Sequence, residues 1–329
     1  MVVFGQFIIG PPGAGKTTYC TGMQQLLTVL KRPCTLINLD PANDDLPYEC
    51  QIDIRELVNV EDVMTELDLG PNGALLYAME YIEVNLDWLI TRIRSATAES
   101  AVPYVFFDCP GQVELYTHND VMTKITQQLV KALDLRLVAV HLIDSTLCVD
   151  VYRYISAVLL SLAAMMQLEL PHINVLSKID MLMDHSDDLT FGLDYYAGVA
   201  DLSQILWTLQ TNRHPLSVKF EKLNRLMAEL IEDYGLVSFE PLDIQDKECA
   251  MRVLGRCDTA NGHIMNAEKI QDPSDPVSGV RLFQVGLSDA AESMEDYIER
   301  YEERFKAREA EEMGQHEEEG GFAPARPAP

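Results

Sequence analysis

The stretch FGQFIIGPPGAGKTTYC, residues 4–20, sets an apolar run against a cluster of glycines and prolines, adds a lysine and two threonines, and then turns amphipathic. A strand that passes through a glycine-rich turn into a helix N-terminus is a phosphate site, because unpaired backbone N–H groups and the positive end of the helix dipole converge there. Gly10-Pro11-Pro12-Gly13-Ala14-Gly15-Lys16-Thr17 fits G-x-x-x-x-G-K-[ST] at every fixed position. The backbone at Gly13, Ala14, Gly15 and Thr18 would wrap the phosphates, Lys16 would reach the β- and γ-phosphates, and Thr17 would offer its hydroxyl to Mg²⁺. A P-loop NTPase is the fold expected from this stretch.

The remainder of the chain agrees with that expectation. Short apolar runs at 6–10, 35–39, 104–108, 137–143, 173–177 and 237–242 alternate with longer helical stretches, which predicts a three-layer α/β/α domain. Several runs are almost continuously apolar, as in strands of a mostly parallel sheet buried on both faces. Two segments interrupt the alternation. Residues 41–99 hold a polar loop and helix-like stretches split by Gly70-Pro71-Asn72, and residues 181–233 read as a helical insertion.

The domain is expected to span 1–265, with an irregular connection at 266–287 and an acidic amphipathic helix at 288–313. In that helix Met294, Ile298, Tyr301 and Phe305 follow 4-3-4 spacing behind a Ser288 N-cap, and a disordered tail covers 314–329. From Asp289 to Glu319 thirteen acidic residues face four basic ones, so the helix is either a solvated face or a docking stripe for a partner helix. It carries no nucleotide motif, and removing everything after Gly286 is expected to leave nucleotide affinity unchanged.

Composition narrows the function. The chain has 329 residues, 47% hydrophobic and 23% charged, with a formal charge of −27, which disfavours nonspecific contact with nucleic acid or an anionic membrane. The longest uncharged stretch, 154–168, is shorter than the about 18 to 20 residues of a membrane span and reads as a buried helix. Seven cysteines form no C-x-x-C pair, which argues for a reducing compartment and against a disulfide framework or a zinc site. No basic-then-apolar signal precedes the first strand, so export is not expected.

A phosphate loop does not by itself separate kinases, ATPases and GTPases. After the run 104–107 comes DCPGQVE: Asp108 would hold Mg²⁺ through water, Pro110-Gly111 would let a backbone N–H meet the γ-phosphate, and Gln112 would orient a water. NVLSKID, 174–180, ends the next strand. In [NT]-K-x-D the carboxylate accepts from the guanine N1–H and N2–H₂ while the lysine stem lies along the base; Lys178 and Asp180 match, and adenine would leave the Asp unpaired. Ser177 stands where Asn or Thr is usual, a departure expected to weaken the bracing of the loop and to spare base reading. Leu242 and Asp243 would supply the base-side loop after the last strand.

Asp40, at the tip of NLDPAND, would position the attacking water or hold a metal-bound one, or else serve as a helix N-cap. No arginine finger follows from the spacing. A P-loop kinase for a nucleotide or polynucleotide end, and a scaffold that binds GTP without hydrolysing it, remain alternatives; a kinase lid would need arginines, and 181–233 has only Arg213 and Arg225.

Taken together, GPPGAGKTT, NLDPAND, LGPNGALLYAMEY, DCPGQVELYTH and SKID resemble the GPN-loop GTPases, in the family's order, over about 4–262. The resemblance implies GTP/GDP and Mg²⁺ as ligands and a fold in the branch of signal-recognition and MinD-type dimeric GTPases. It also implies that the loop Gly70-Pro71-Asn72 of one subunit enters the other's site, where Asn72 would act in trans beside Lys16, Asp40 and Gln112. The partner would be a second copy or a paralogue. RNA polymerase subunits or assembly factors would be the clients, and the protein would be cytoplasmic with shuttling to the nucleus.

Overall fold

The computed structural model describes residues 2–44, 46–98, 103–183, 189–199, 202–211 and 215–263, and near the C-terminus 298–301, 303, 304 and 307. The segments expected at 266–287 and 314–329, and Ser288, Met294 and Phe305 of the acidic helix, lie outside them.

Strand β1 (Val3–Ile9) begins earlier than the apolar count suggested and stops at Gly10; all seven of its residues are buried. The phosphate-loop helix α1 (Lys16–Val29) follows, then β2 (Thr35–Asn38) and a two-residue strand β3 (Ile52–Asp53) that no apolar run announces. Helices α2 (Val60–Leu67), α3 (Pro71–Val84) and α4 (Leu86–Thr97) fill the first interruption before β4 (Tyr104–Asp108). Beyond it come α5 (Glu114–Thr117), α6 (Val121–Leu133), β5 (Leu135–Asp144), α7 (Val151–Leu168) and β6 (His172–Ser177). The second interruption holds α8 (Ile179–Met183), α9 (Leu193–Gly198), α10 (Leu202–Thr211) and α11 (Pro215–Tyr234), and the domain closes with β7 (Phe239–Leu242) and α12 (Lys247–Asn261).

The seven strands form one sheet in the order β3-β2-β4-β1-β5-β6-β7. Every pairing among the described residues is parallel. Side chains alternate across β1: Phe4 and Ile8 join a core with α1, α7 and α12, while Val3, Phe7 and Ile9 join a second core with α3, α4 and α6. Two apolar faces explain the nearly continuous apolar runs and give the three layers. The uncharged stretch at 154–168 lies in α7, long and apolar enough by composition to cross a membrane, yet Tyr154, Val158 and Leu162 pack along one face into the first core. All seven cysteines are free thiols, five of them buried.

Polar groups also border the cores, His141 and Tyr116 fully buried and His172 half-buried. His141 of β5 and His172 of β6 lie 5.8 Å apart, ring centre to ring centre, with Tyr116 5.9 Å from His141. Neither imidazole makes a hydrogen bond of good geometry among the described residues, nor does the Tyr116 hydroxyl, although the nearby Asn174 side chain opposes the fall in the His141 pKa. Burial pushes the His141 ring down to about 4, and burial together with His141 pushes His172 down to about 3.

Candidate nucleotide site

In a parallel sheet, ligands bind beyond the carboxyl ends of the strands, where neighbouring connections diverge. Strand β1 sits at that point, between β4 and β5, and the phosphate loop leaves from its end. Gly10 has φ +148°, and a Cβ there would lie 2.3 Å from the Leu142 carbonyl oxygen, so only glycine fits. Gly15 precedes α1 in a left-handed conformation, φ +87°. Ala14 is buried, while Gly13 and Thr18 are exposed at the rim.

The Lys16 ammonium, nearly buried, donates to the Gly10 and Pro11 carbonyls at 3.1 and 3.3 Å. Burial lowers its pKa, and the Asp108 and Asp40 carboxylates oppose that shift. Gly111 lies hard against the loop: a Cβ there would come within 2.9 Å of Lys16 Nζ and 3.2 Å of Pro12 Cα. The DCPG turn therefore touches the lysine that would meet the γ-phosphate.

Asp108 ends β4 beside Ile8 on one side and Asn38 on the other. Its Oδ2 accepts from the Thr17 hydroxyl at 3.0 Å and from the Tyr48 hydroxyl at 3.0 Å. Its Oδ1 is buried without a partner among the described residues. Burial raises the carboxyl to about 6, against the donors Thr17 and Tyr48 and the Lys16 charge. A buried carboxylate oxygen left unpaired next to a threonine hydroxyl suits a hard divalent cation with oxygen ligands, so the residues fit Mg²⁺.

Asp40 is held by its own backbone: Asn38 accepts the Asp40 N–H at 3.0 Å, and Asp40 Oδ1 accepts from Ala42 N–H at 3.0 Å. The cap is thus an Asx turn over Pro41, and no helix starts there, which removes the helix N-cap as its role. Burial raises its pKa, opposed by the Ala42 N–H and Lys16. Gln112 donates from Nε2 to Glu114 at 3.0 Å, and its Oε1 is buried with no described partner. An amide oxygen fixed in that way can accept a hydrogen bond from a water.

Ser177 keeps a bracing contact despite its shorter side chain. Its Oγ lies 2.8 Å from the Ala14 carbonyl and 3.0 Å from the Ile143 carbonyl, so the shorter side chain still braces the phosphate loop. Ser177→Ala should cost about 1 kcal/mol of stability, read as a lowered urea midpoint with an unchanged slope. Lys178, at φ +60°, extends its stem over Gly15, with Cε 4.0 Å from where a Cβ would stand. Its ammonium pairs with Asp144 at 2.7 Å. Asp180 lies half-buried in α8, next to that stem in sequence. Leu242 ends β7 opposite Ser177; its side chain is in the core, and Asp243 follows, also buried.

Asn72 stands elsewhere. Gly70 precedes α3 in extended backbone, Pro71 takes the first helical position, and Asn72 is exposed on the first turn. The triplet therefore starts a helix. Arg225 pairs along exposed α11 with Glu229 at 3.6 Å, and Arg213 lies outside the described residues, so no lid arginine is described. Sequence reasoning passed over Tyr48, Asn38 and Asp144. Each sits one contact behind a motif residue, and of the three only Asn38, the first residue of NLDPAND, falls within a motif quoted above.

A family model described as "Conserved hypothetical ATP binding protein" matches residues 8–263. The chain is 51% identical over 260 residues to GPN-loop GTPase 2 of Danio rerio, covering 79% of this chain and 81% of the relative. It is 50% identical over 263 residues to GPN-loop GTPase QQT1 of Arabidopsis thaliana, covering 80% and 86%. This chain belongs to the GPN-loop GTPases. A crystal structure of a GTPase in apo form from Pyrococcus abyssi has the same fold, with a TM-score of 0.60 and 22% identity over 78% of this chain and 97% of that one. For a GPN-loop GTPase, the family description names ATP and the relatives' names imply GTP.

Proposed function

We propose that this GPN-loop GTPase binds GTP with Mg²⁺ and hydrolyses it as a dimeric switch in the assembly and nuclear import of RNA polymerase. The observation that carries the nucleotide reading is the seat of the SKID turn: Ser177 is hydrogen-bonded to Ala14, and Lys178 lies over Gly15. A base whose phosphates occupy the loop then reaches Lys178 and Asp180 together. Thr17 and Asp108 would hold Mg²⁺, with Asp40 through a water. The ion would offset charge on the phosphate oxygens. Gln112 would orient the attacking water.

Dimerisation is supported by the missing finger and by α3, where Tyr77, Tyr81 and Val84 are exposed at 4-3 spacing on the helix that Gly70-Pro71-Asn72 begins. The second subunit would be another copy or a paralogue. The net charge of −27 suits a protein that handles the polymerase's subunits or assembly factors in the cytoplasm and on the way to the nucleus, without touching nucleic acid.

Competition titration tests the base. GTP should displace a fluorescent GDP far more effectively than ATP, and equal potency would refute the guanine reading. Asp180→Asn should weaken GTP about tenfold, the value of a hydrogen bond to a charged group, and gain affinity for xanthosine triphosphate, which offers a carbonyl in place of the amino group. The client reading is tested by affinity capture with wild-type and Lys16→Ala protein: polymerase subunits should be recovered with the first and depleted with the second.

A further inference from the structure

Of the acidic stretch near the C-terminus, residues 298–301, 303, 304 and 307 are described, and they bear on the base side of the site. Ile298 and Tyr301 are buried in the core that contains α12 and β7. The Tyr301 hydroxyl donates to Asp243 Oδ2 at 3.1 Å. Arg304 Nη1 lies 2.7 Å from Glu248 Oε2 and 3.6 Å from Asp246 Oδ2, at the start of α12. Being half exposed, that ion pair adds little, so the buried tyrosine contact dominates.

Asp243 is the hinge of the turn after β7. It is 2% exposed; its Oδ1 accepts from the Gln245 N–H at 2.9 Å, and its carbonyl accepts from the Asp246 N–H at 3.2 Å. The next residue, Ile244, packs so closely on α1 that a Cβ at Gly22 would lie 2.4 Å from its Cγ1. Since Leu242 and Ser177 pair in register, the turn 243–246 runs alongside Lys178 and Asp180. The Tyr301 hydroxyl also feels the Asp180 charge. Burial, followed by Asp243, raises its pKa, so it keeps its proton and remains a donor.

We infer that Tyr301 is a positioning residue for the base pocket: its bond to Asp243 fixes the turn after β7 beside Lys178 and Asp180 and so slows release of the nucleotide. This rests on the reading of Asp180 as the guanine acceptor. It replaces the expectation that residues after Gly286 have no bearing on nucleotide affinity. The tyrosine lies past residue 263, where the match to the family model ends.

The test uses the full chain as wild type, Tyr301→Phe, Tyr301→Ala and Asp180→Asn. Release of a fluorescent GDP is followed by stopped flow, and affinity for inorganic tripolyphosphate, which has no base, is measured in parallel. Tyr301→Phe keeps the ring in the core and should release GDP about tenfold faster, with tripolyphosphate affinity unchanged; Tyr301→Ala should release it faster still. Unchanged release from Tyr301→Phe would overturn the inference, and so would equal weakening of GDP and tripolyphosphate, which would mean general loosening. Asp180→Asn separates the two readings. If that variant holds GDP as wild type does, the guanine reading fails and this inference with it; if it weakens GDP while Tyr301→Phe does nothing, only the inference fails.

Discussion

An Asn72→Ala chain is expected to bind GTP as wild type does and to hydrolyse it about 10²- to 10³-fold more slowly, the usual cost of removing one preorganised donor from a transition state. The split between binding and turnover follows if the contact forms only as charge develops during transfer. Folding should not confound the result, because Asn72 is exposed on the first turn of α3 and Pro71 in front of it sets the helix start. Single-turnover hydrolysis at saturating GTP measures it. Mixing Asn72→Ala with Lys16→Ala chains sharpens the test. In the proposed dimer each mixed pair would keep one whole site, with Lys16 on the Asn72→Ala chain and Asn72 from its partner, so activity should return although each variant alone should be nearly inactive. No recovery in a verified mixed dimer would refute donation in trans, as would undiminished turnover of Asn72→Ala.

The second large effect is acid sensitivity. His141 and His172 are held neutral in the fold, at about 4 and about 3, against an ordinary value of 6.5. Below pH 6.5 the unfolded chain takes up protons that the folded chain refuses, so stability falls as pH falls through the window between 6.5 and the folded values. From pH 7 to pH 5 the two rings together should cost about 4 kcal/mol. Asp108 works the other way. Its carboxyl, raised from 3.8 to about 6, binds a proton first in the folded state, which returns about 1 kcal/mol over the same range; Asp40, also raised, adds in that direction. A net loss of no more than about 3 kcal/mol should appear in urea titrations at the two pH values. His172→Phe should remove about 2 kcal/mol of the pH dependence, because the carboxylate terms cancel between variant and wild type. An unchanged pH slope in that variant would show that the ring is not held neutral.

Local order made the phosphate loop legible. Glycines at 10, 13 and 15, a lysine and a threonine act within one turn of chain, so the sequence shows both the geometry and the chemistry. The apolar runs marked six strands because both faces of each are buried. Strand β3 left no trace: its pairing with β2 needs only Ile52 and Asp53, and Asn38 Nδ2, donating to Asp53 Oδ1 at 3.0 Å, supports it by a side chain no pattern records. The bracing by Ser177 is not legible in sequence because it depends on how near the Ala14 carbonyl, 163 positions away in the chain, comes to the end of β6. Asp243 and Tyr301 meet across 58 positions, and the imidazoles meet across two strands. Periodicity reports which way a side chain points and says nothing about what it finds there.

The place of β1 has a consequence for the growing polypeptide. The first strand made is the middle one of the sheet, and its two neighbours are β4 and β5, so Phe4 waits for Tyr104 on one side and Val3 waits for Leu135 on the other. At about 5–20 residues per second, roughly ten seconds pass between synthesis of this apolar strand and arrival of its second partner. During that interval its backbone donors and acceptors are open on both edges, and its side chains have neither core to enter. Folding is dominated by long-range parallel pairings, which form slowly. A nascent chain cut short before residue 135 should therefore bind hydrophobic-segment chaperones and lack a working phosphate loop, although every residue of that loop is already present.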